Sequence, residues 1–165
     1  MLASFSTVVA DYDNTAHVEA IGCLMRDYSA DVMGGGEPLT HEHCKRIAGE
    51  LKRYGGAVTV LAFDSSEKAV GLATSLRSFS TFMLKPLLNL HDVYVDEGWR
   101  RRGVGAALLK ESERVARELG CCKLTLEVLS NNHSAQSLYR RVGFEPYELS
   151  GEAGQALFWQ KKIVV

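Results

Sequence analysis

Two kinds of apolar spacing take turns along the chain, and the changes between them predict its elements. "FSTVVADY" (5–12) places apolar side chains at nearly even intervals and reads as an opening strand. Over residues 14–33, Val18, Ile21, Cys23, Leu24 and Met25 recur at helical spacing, with Gly22 interrupting. "MGGGEPL" (33–39) breaks that pattern, and Thr40 is placed to cap a second helix running to about Tyr54, with Ile47 and Leu51 four apart. "AVTVLAFD" (57–64) and "AVGLATSLRSFST" (69–81) read as a hairpin joined at "DSSEK". "LLNLHDVYVD" (87–96) predicts a further strand, with Leu88, Leu90, Asp92 and Tyr94 on one face and Asn89, His91, Val93 and Val95 on the other.

A helix is predicted after Gly103. Val104, Leu108, Ser112, Val115, Ala116 and Leu119 fall on one stripe, while Lys110, Glu111, Glu113, Arg114, Arg117 and Glu118 cover the opposite side. Gly120 ends it as a C′ residue. "CCKLTLEVL" (121–129) is the next strand. Ala135, Leu138, Tyr139 and Val142 then mark a short helix closed by Gly143. "LFWQKKIVV" (157–165) predicts a terminal strand, paired with one over residues 144–149. Strands alternating with helices call for a mixed α/β sheet with helices on its faces. No repeat or linker interrupts it, so residues 1–165 are read as one domain.

Composition narrows the function classes. The 46% apolar and 24% charged residues are those of an ordinary soluble domain. A net charge of −1 argues against a nucleic-acid partner, although Arg100, Arg101 and Arg102, with Arg140 and Arg141, suit a single polyanionic ligand. No secretory signal is visible, and no apolar run approaches the roughly eighteen residues of a membrane span. A cytoplasmic protein with no membrane partner is therefore expected. Cys23, Cys44, Cys121 and Cys122 have no metal or redox spacing and read as buried free thiols. In "HEHC" (41–44) the two histidines are two apart at a helix start and share no face, so no metal is expected.

The chemistry concentrates in "WRRRGVGAALL" (99–109). A strand running into Gly103-x-Gly105 and then a helix has the form of an anion site. The glycines let the main chain turn tightly, and the unpaired N–H groups of the first turn point at the ligand. The helix dipole and the three arginines add positive potential. A plain surface loop is the competing reading. A nucleotide P-loop is excluded because the Lys-Ser/Thr pair is missing, and a dinucleotide fingerprint because the third glycine is.

Taken together, "VYVD" at 93–96 followed by Arg100, Gly103 and Gly105, and then Asn132, Ala135, Leu138, Tyr139, Gly143 and Phe144 after a strand, resemble the GNAT N-acetyltransferase superfamily. "SFSTF" (78–82), "LHDVYV" (90–95) and "SLYRRVGF" (137–144) look most like its spermidine/spermine (diamine) acetyltransferase group. That group carries a glutamate where this chain has His91, which bears on the amine taken and not on acetyl transfer. The resemblance implies a GNAT-like, mostly antiparallel sheet of six to seven strands with helices on both faces, acetyl-CoA as co-substrate, and a homodimer with the terminal strands as contacts. It also implies a coenzyme site: the main chain of Val93, Tyr94 and Val95 for the pantetheine arm, and Arg100, Arg101, Arg102, Gly103, Val104, Gly105 and Ala106 for the diphosphate. Asn132 and Ala135 complete it at the start of the last helix, where Asn132 serves as a cap or a coenzyme ligand.

The expected reaction is direct attack of a small-molecule primary amine, polyamine- or lysine-like, on acetyl-CoA in a ternary complex. An alkylammonium titrates near about 10.4, so a base is needed at neutral pH. His91 is the candidate base, because an imidazole titrates near about 6.5, with Asp92 and Glu127 as substrate-binding carboxylates that relay through water. Tyr139 is the candidate acid for the departing thiolate. A protein or peptide acceptor, and a non-catalytic acyl-CoA-binding module, are the alternatives.

Overall fold

A computed structural model describes residues 4–148, 152, 154 and 156–163. The order is β1 (Phe5–Val9), α1 (Thr15–Ala30), α2 (His41–Tyr54), β2 (Ala57–Asp64), β3 (Ala69–Ser80), β4 (Lys85–Val95), α3 (Val104–Glu118), β5 (Leu124–Leu126) and α4 (His133–Arg141). The strands form one sheet in the order β1-β2-β3-β4-β5. Its first three pairings are antiparallel and β4–β5 is parallel.

The helix boundaries follow from local chemistry. Asn14 caps α1, its side chain accepting from the N–H groups of Ala16 and His17. Thr40 caps α2 in the same way through His43 N–H. Gly120 lies past the end of α3 with φ 69°, the left-handed conformation of a C′ residue.

Each face of the sheet buries one helical layer. Val60, Ala62, Ala73 and Leu90 pack with Val104, Leu108 and Leu109 of α3. On the other face Leu61 and Leu72 meet Ala20, Ile21 and Leu24 of α1 and Ala48 of α2. Between β2 and β3 runs a buried rung of hydroxyls: Tyr12 Oη is 3.0 Å from Thr59 Oγ1, which is 3.0 Å from Thr74 Oγ1.

Five expectations are corrected. The sheet has five strands, not six to seven: among the described residues 156–163 there is no strand, and Leu149, Val164 and Val165 lie outside the described residues. Leu157, Phe158 and Trp159 are 75%, 78% and 83% exposed, so no buried face fixes a register for them. The strand expected over 121–129 is confined to Leu124–Leu126, because its partner bends away after Leu90. In α3 the stripe takes in Leu109 and leaves Leu119 36% exposed. Cys23 is exposed, only Cys44 of the four thiols being fully buried.

The fifth correction matters most. Thr74 pairs with Asp92 and the next residue, Ser75, pairs with Leu90, so His91 is an extra residue in β4. This bulge reverses the strand's alternation. Leu90, Val93 and Val95 therefore share the α3 face, while Tyr94 packs with the α1 cluster. The assignment of Leu88, Leu90, Asp92 and Tyr94 to a single face fails at that residue.

Candidate functional site

The bulge opens the site. β4 and β5 run side by side from Leu88↔Leu124 to Leu90↔Leu126 and then part. Past the bulge, Asp96 N–H bonds to Val70 C=O on the β3 side at 2.9 Å. Successive main-chain groups alternate in direction, so those of Val93 and Val95 point to the edge that β5 has left. A cleft of about 530 Å³ lies there, between that edge, the start of α3 and α4.

One end of the cleft is built for an anion. Gly103 caps α3 with φ 89° and supplies no side-chain acceptor. The first helical bond of the turn is Ala107 N–H to Gly103 C=O at 3.0 Å, which leaves the amides of Val104, Gly105 and Ala106 without helical partners. A Cβ at Gly105 would stand 2.8 Å from Leu138 Cδ2, so glycine there lets α3 and α4 approach. Arg101 and Arg141 line this region and have no ion pair among the described residues. Arg102 turns away, its guanidinium 5.4 Å from the Trp99 ring centre. Val104 is a core side chain, 1% exposed, and is not among the residues that line the cleft.

Tyr139 stands opposite on α4. Asn132 begins that helix as its cap, with Oδ1 accepting Ala135 N–H at 3.1 Å, and both residues line the cleft. Leu138, Val142 and Phe144 join the α3-side core, and the Phe144 ring lies 5.9 Å from that of Tyr139. Burial first, and the nearby Tyr28 second, push the Tyr139 phenol up to about 12.

The remaining wall is aromatic and acidic. It comprises Tyr28, Asp31 and Met33 from the end of α1, His91 and Tyr94 from β4, and Glu127. The Tyr28 and Tyr94 rings are 5.8 Å apart. Asn89 donates to both Glu127 carboxylate oxygens at 3.3 Å and to Thr125 Oγ1 at 3.1 Å, holding that carboxylate where the strands separate. His91 is exposed at the bulge. Asp92 does not line the cleft; it faces Thr74 on the α1 side, where burial raises its carboxyl and His91 partly offsets the effect.

Arg100 also lines the cleft, but its side chain is engaged. Nε donates to Val95 C=O at 3.0 Å and Nη2 to Asp31 at 2.7 Å. Sequence reasoning missed Tyr28, Met33 and Asn89 as site residues. Arg141 was noted with Arg140 as a positive cluster suited to a polyanion, and of the two only Arg141 lines the cleft. Tyr28 and Met33 had none, because only the packing of α1 against β4 brings them there.

A family model described as acetyltransferase (GNAT) family matches residues 24–144. The chain belongs to the GNAT acetyltransferase family. It is an acetyl-CoA-dependent N-acetyltransferase. Among similar proteins is the thialysine N-epsilon-acetyltransferase of Bos taurus, 35% identical over 45% of this chain and 43% of its own length. The glucosamine 6-phosphate N-acetyltransferase of Trypanosoma brucei brucei is 25% identical over 86% of this chain and 88% of its own. The fold matches that of an aminoglycoside N-acetyltransferase solved in complex with CoA, with a TM-score of 0.73 at 18% identity, covering 98% of this chain and 97% of that one. The residues present fit the coenzyme: three unpaired amides and two arginines suit a diphosphate, and the open β4 edge suits an amide-bearing arm. Among the described residues no cluster of three or more His, Cys, Asp or Glu forms a metal site, and no helix is long and apolar enough to cross a membrane.

Proposed function

We propose that this GNAT enzyme acetylates a primary amine of a small cationic molecule, polyamine- or lysine-like, by direct attack in a ternary complex. One observation carries this reading: Gly105 and Ala106 with their unpaired amides, the β4 edge at Val93 and Val95, and Tyr139 all border the cleft whose remaining wall holds Tyr28, Tyr94, Asp31 and Glu127. Carboxylates beside aromatic faces favour an ammonium ligand.

Bound acetyl-CoA supplies a thioester carbonyl open to attack by an amine. The amides of Val104, Gly105 and Ala106, aided by Arg101 and Arg141, hold its diphosphate. Main-chain groups of Val93 and Val95 bind the pantetheine arm as an added strand would, and the edge amides polarise the carbonyl. His91 takes the proton that the ammonium must lose, and Glu127 relays it through water; Asp92, turned to the other face of the sheet, takes no part. As the C–S bond breaks, the Tyr139 phenol donates to the sulfur, which ends as the free thiol. The ammonium loses two protons on becoming an amide: the first leaves to solvent through His91, and the second, shed after attack, replaces the one that Tyr139 gives to the sulfur. The products are amide, free thiol and one released proton.

We infer also that two copies pair in solution and that the protein works in the cytoplasm, where exposed Cys23 stays reduced. The exposed apolar side chains at 157–159 and at the β3–β4 hairpin tip support pairing.

The test is a thiol-release screen with acetyl-CoA against polyamines, lysine analogues, aminoglycosides and short peptides. Turnover with small polyamines or lysine analogues is expected. Turnover with peptides alone overturns the small-molecule reading, and none with any amine overturns the enzymatic one.

A further inference from the structure

We propose that Asp31 and Arg100 form a clasp that fixes the acceptor wall to the coenzyme side of the cleft, so that amine binding depends on it. This inference rests on the reading of the cleft given above.

The clasp joins residues 69 positions apart. Asp31 ends α1, and its two carboxylate oxygens have separate tasks: Oδ1 accepts Met33 N–H at 2.8 Å, and Oδ2 accepts Arg100 Nη2 at 2.7 Å. On the other side, Arg100 Nε is anchored to Val95 C=O at 3.0 Å, and its guanidinium lies 5.8 Å from the centre of the Tyr94 ring. One side chain thus touches the free β4 edge, the aromatic floor and the end of α1.

The turn behind Asp31 is built to hold that carboxylate still. The N–H groups of Gly34 and Gly36 both return to Asp31 C=O, at 2.8 and 3.0 Å. A Cβ at Gly34 would stand 1.9 Å from Tyr28 C=O, so only glycine permits this fold-back onto α1. The far end of the connection is pinned as well: Leu39 N–H donates to Ser29 Oγ at 2.9 Å, and Arg26 donates to Leu39 C=O. The segment over 33–39 is therefore a bracket rather than a loose flap.

An exposed ion pair by itself contributes little. Here the Asp31 side chain is 24% exposed and that of Arg100 45%, and fixed hydrogen bonds orient both groups. The Met33 N–H, followed by Arg100, holds the Asp31 carboxyl below its ordinary range. With Arg100 committed to Asp31 and Val95, Arg101 and Arg141 are the arginines left for the diphosphate. Loss of the clasp should then loosen Tyr28 and its neighbours, and weaken the amine rather than the coenzyme.

The experiment compares Asp31→Asn, Arg100→Gln and the double D31N/R100Q enzyme. Expected for each single variant is an amine KM raised about fivefold or more, with acetyl-CoA Kd changed by less than about twofold, and for the double variant a KM little above the larger single effect, because both side chains serve one contact. A loss that falls on acetyl-CoA affinity, an unaltered KM in Asp31→Asn, or effects that multiply in the double variant overturns the proposal. Hydrogen exchange at the amides of Met33, Gly34 and Gly36 gives a reading without turnover. Faster exchange in Arg100→Gln supports the clasp, and unchanged exchange overturns it, even if no amine is ever acetylated.

Discussion

Tyr139 meets two demands that pull against each other. Packing against Phe144 and the α3-side core fixes the ring, yet the same burial lifts the phenol to about 12. A thiol titrates near about 8.5, so the phenol holds its proton at neutral pH, as the proposed donor to developing charge on sulfur must. Tyr139→Phe should lower kcat about a hundredfold while acetyl-CoA affinity stays within about threefold, measured by thiol release and by calorimetric titration. Asp92 makes a stability prediction with a definite sign. Its carboxyl keeps its proton to higher pH in the native chain than in the unfolded one, whose ordinary value is 3.8. The associated stability is whole below 3.8 and falls as pH rises through the raised native value. Asp92→Asn should therefore melt at a higher temperature than the parent at pH 7, with the difference vanishing near pH 3, as followed by circular dichroism. The family-like motif suggested Tyr139, and residue types added His91, Asp92 and Glu127. What they could not reveal was that Asp92 looks the other way, since that depends on one surplus residue in its strand.

The elements were readable where periodicity is clean. β2 was expected over the residues it occupies, and Asn132, Thr40 and Gly120 mark helix ends as their side chains or backbone freedom require. Reading failed where pairing decides. A three-residue β5 follows from the path of β4, and the bulge leaves no mark in a run such as "LLNLHDVYV". The hydroxyl rung between β2 and β3 is a further product of pairing, because Thr59 and Thr74 meet only in the assembled register. Thr59→Val leaves the buried Thr74 hydroxyl without this partner and removes one of the two bonds between Thr59 and the part-buried Tyr12 hydroxyl, and should cost about 1–2 kcal/mol in urea unfolding. The double T59V/T74V substitution should cost less than the sum of the singles, because one stranded partner is gone.

Among the described residues, exposed apolar side chains gather at the β3–β4 hairpin tip and over 157–159. At the hairpin tip Phe79, Phe82, Met83 and Leu84 are 56%, 92%, 59% and 77% exposed. If this tip joins two copies, Phe82→Ser combined with Leu84→Ser should shift sedimentation from a dimer to the 18.2 kDa single chain, with the thermal midpoint of the monomer little altered. The α/β layering was evident from the chain because alternating periods admit few arrangements. The acceptor wall was not, since Tyr28 and Asp31 reach the cleft through a helix packed across the sheet. The single surplus residue at position 91 has an architectural consequence that outweighs its imidazole. Excise it, and the pleat would keep its parity, letting the two parallel neighbours zip onward beyond Leu126. The product would be a tidier sheet, without the wedge proposed to admit a thioester.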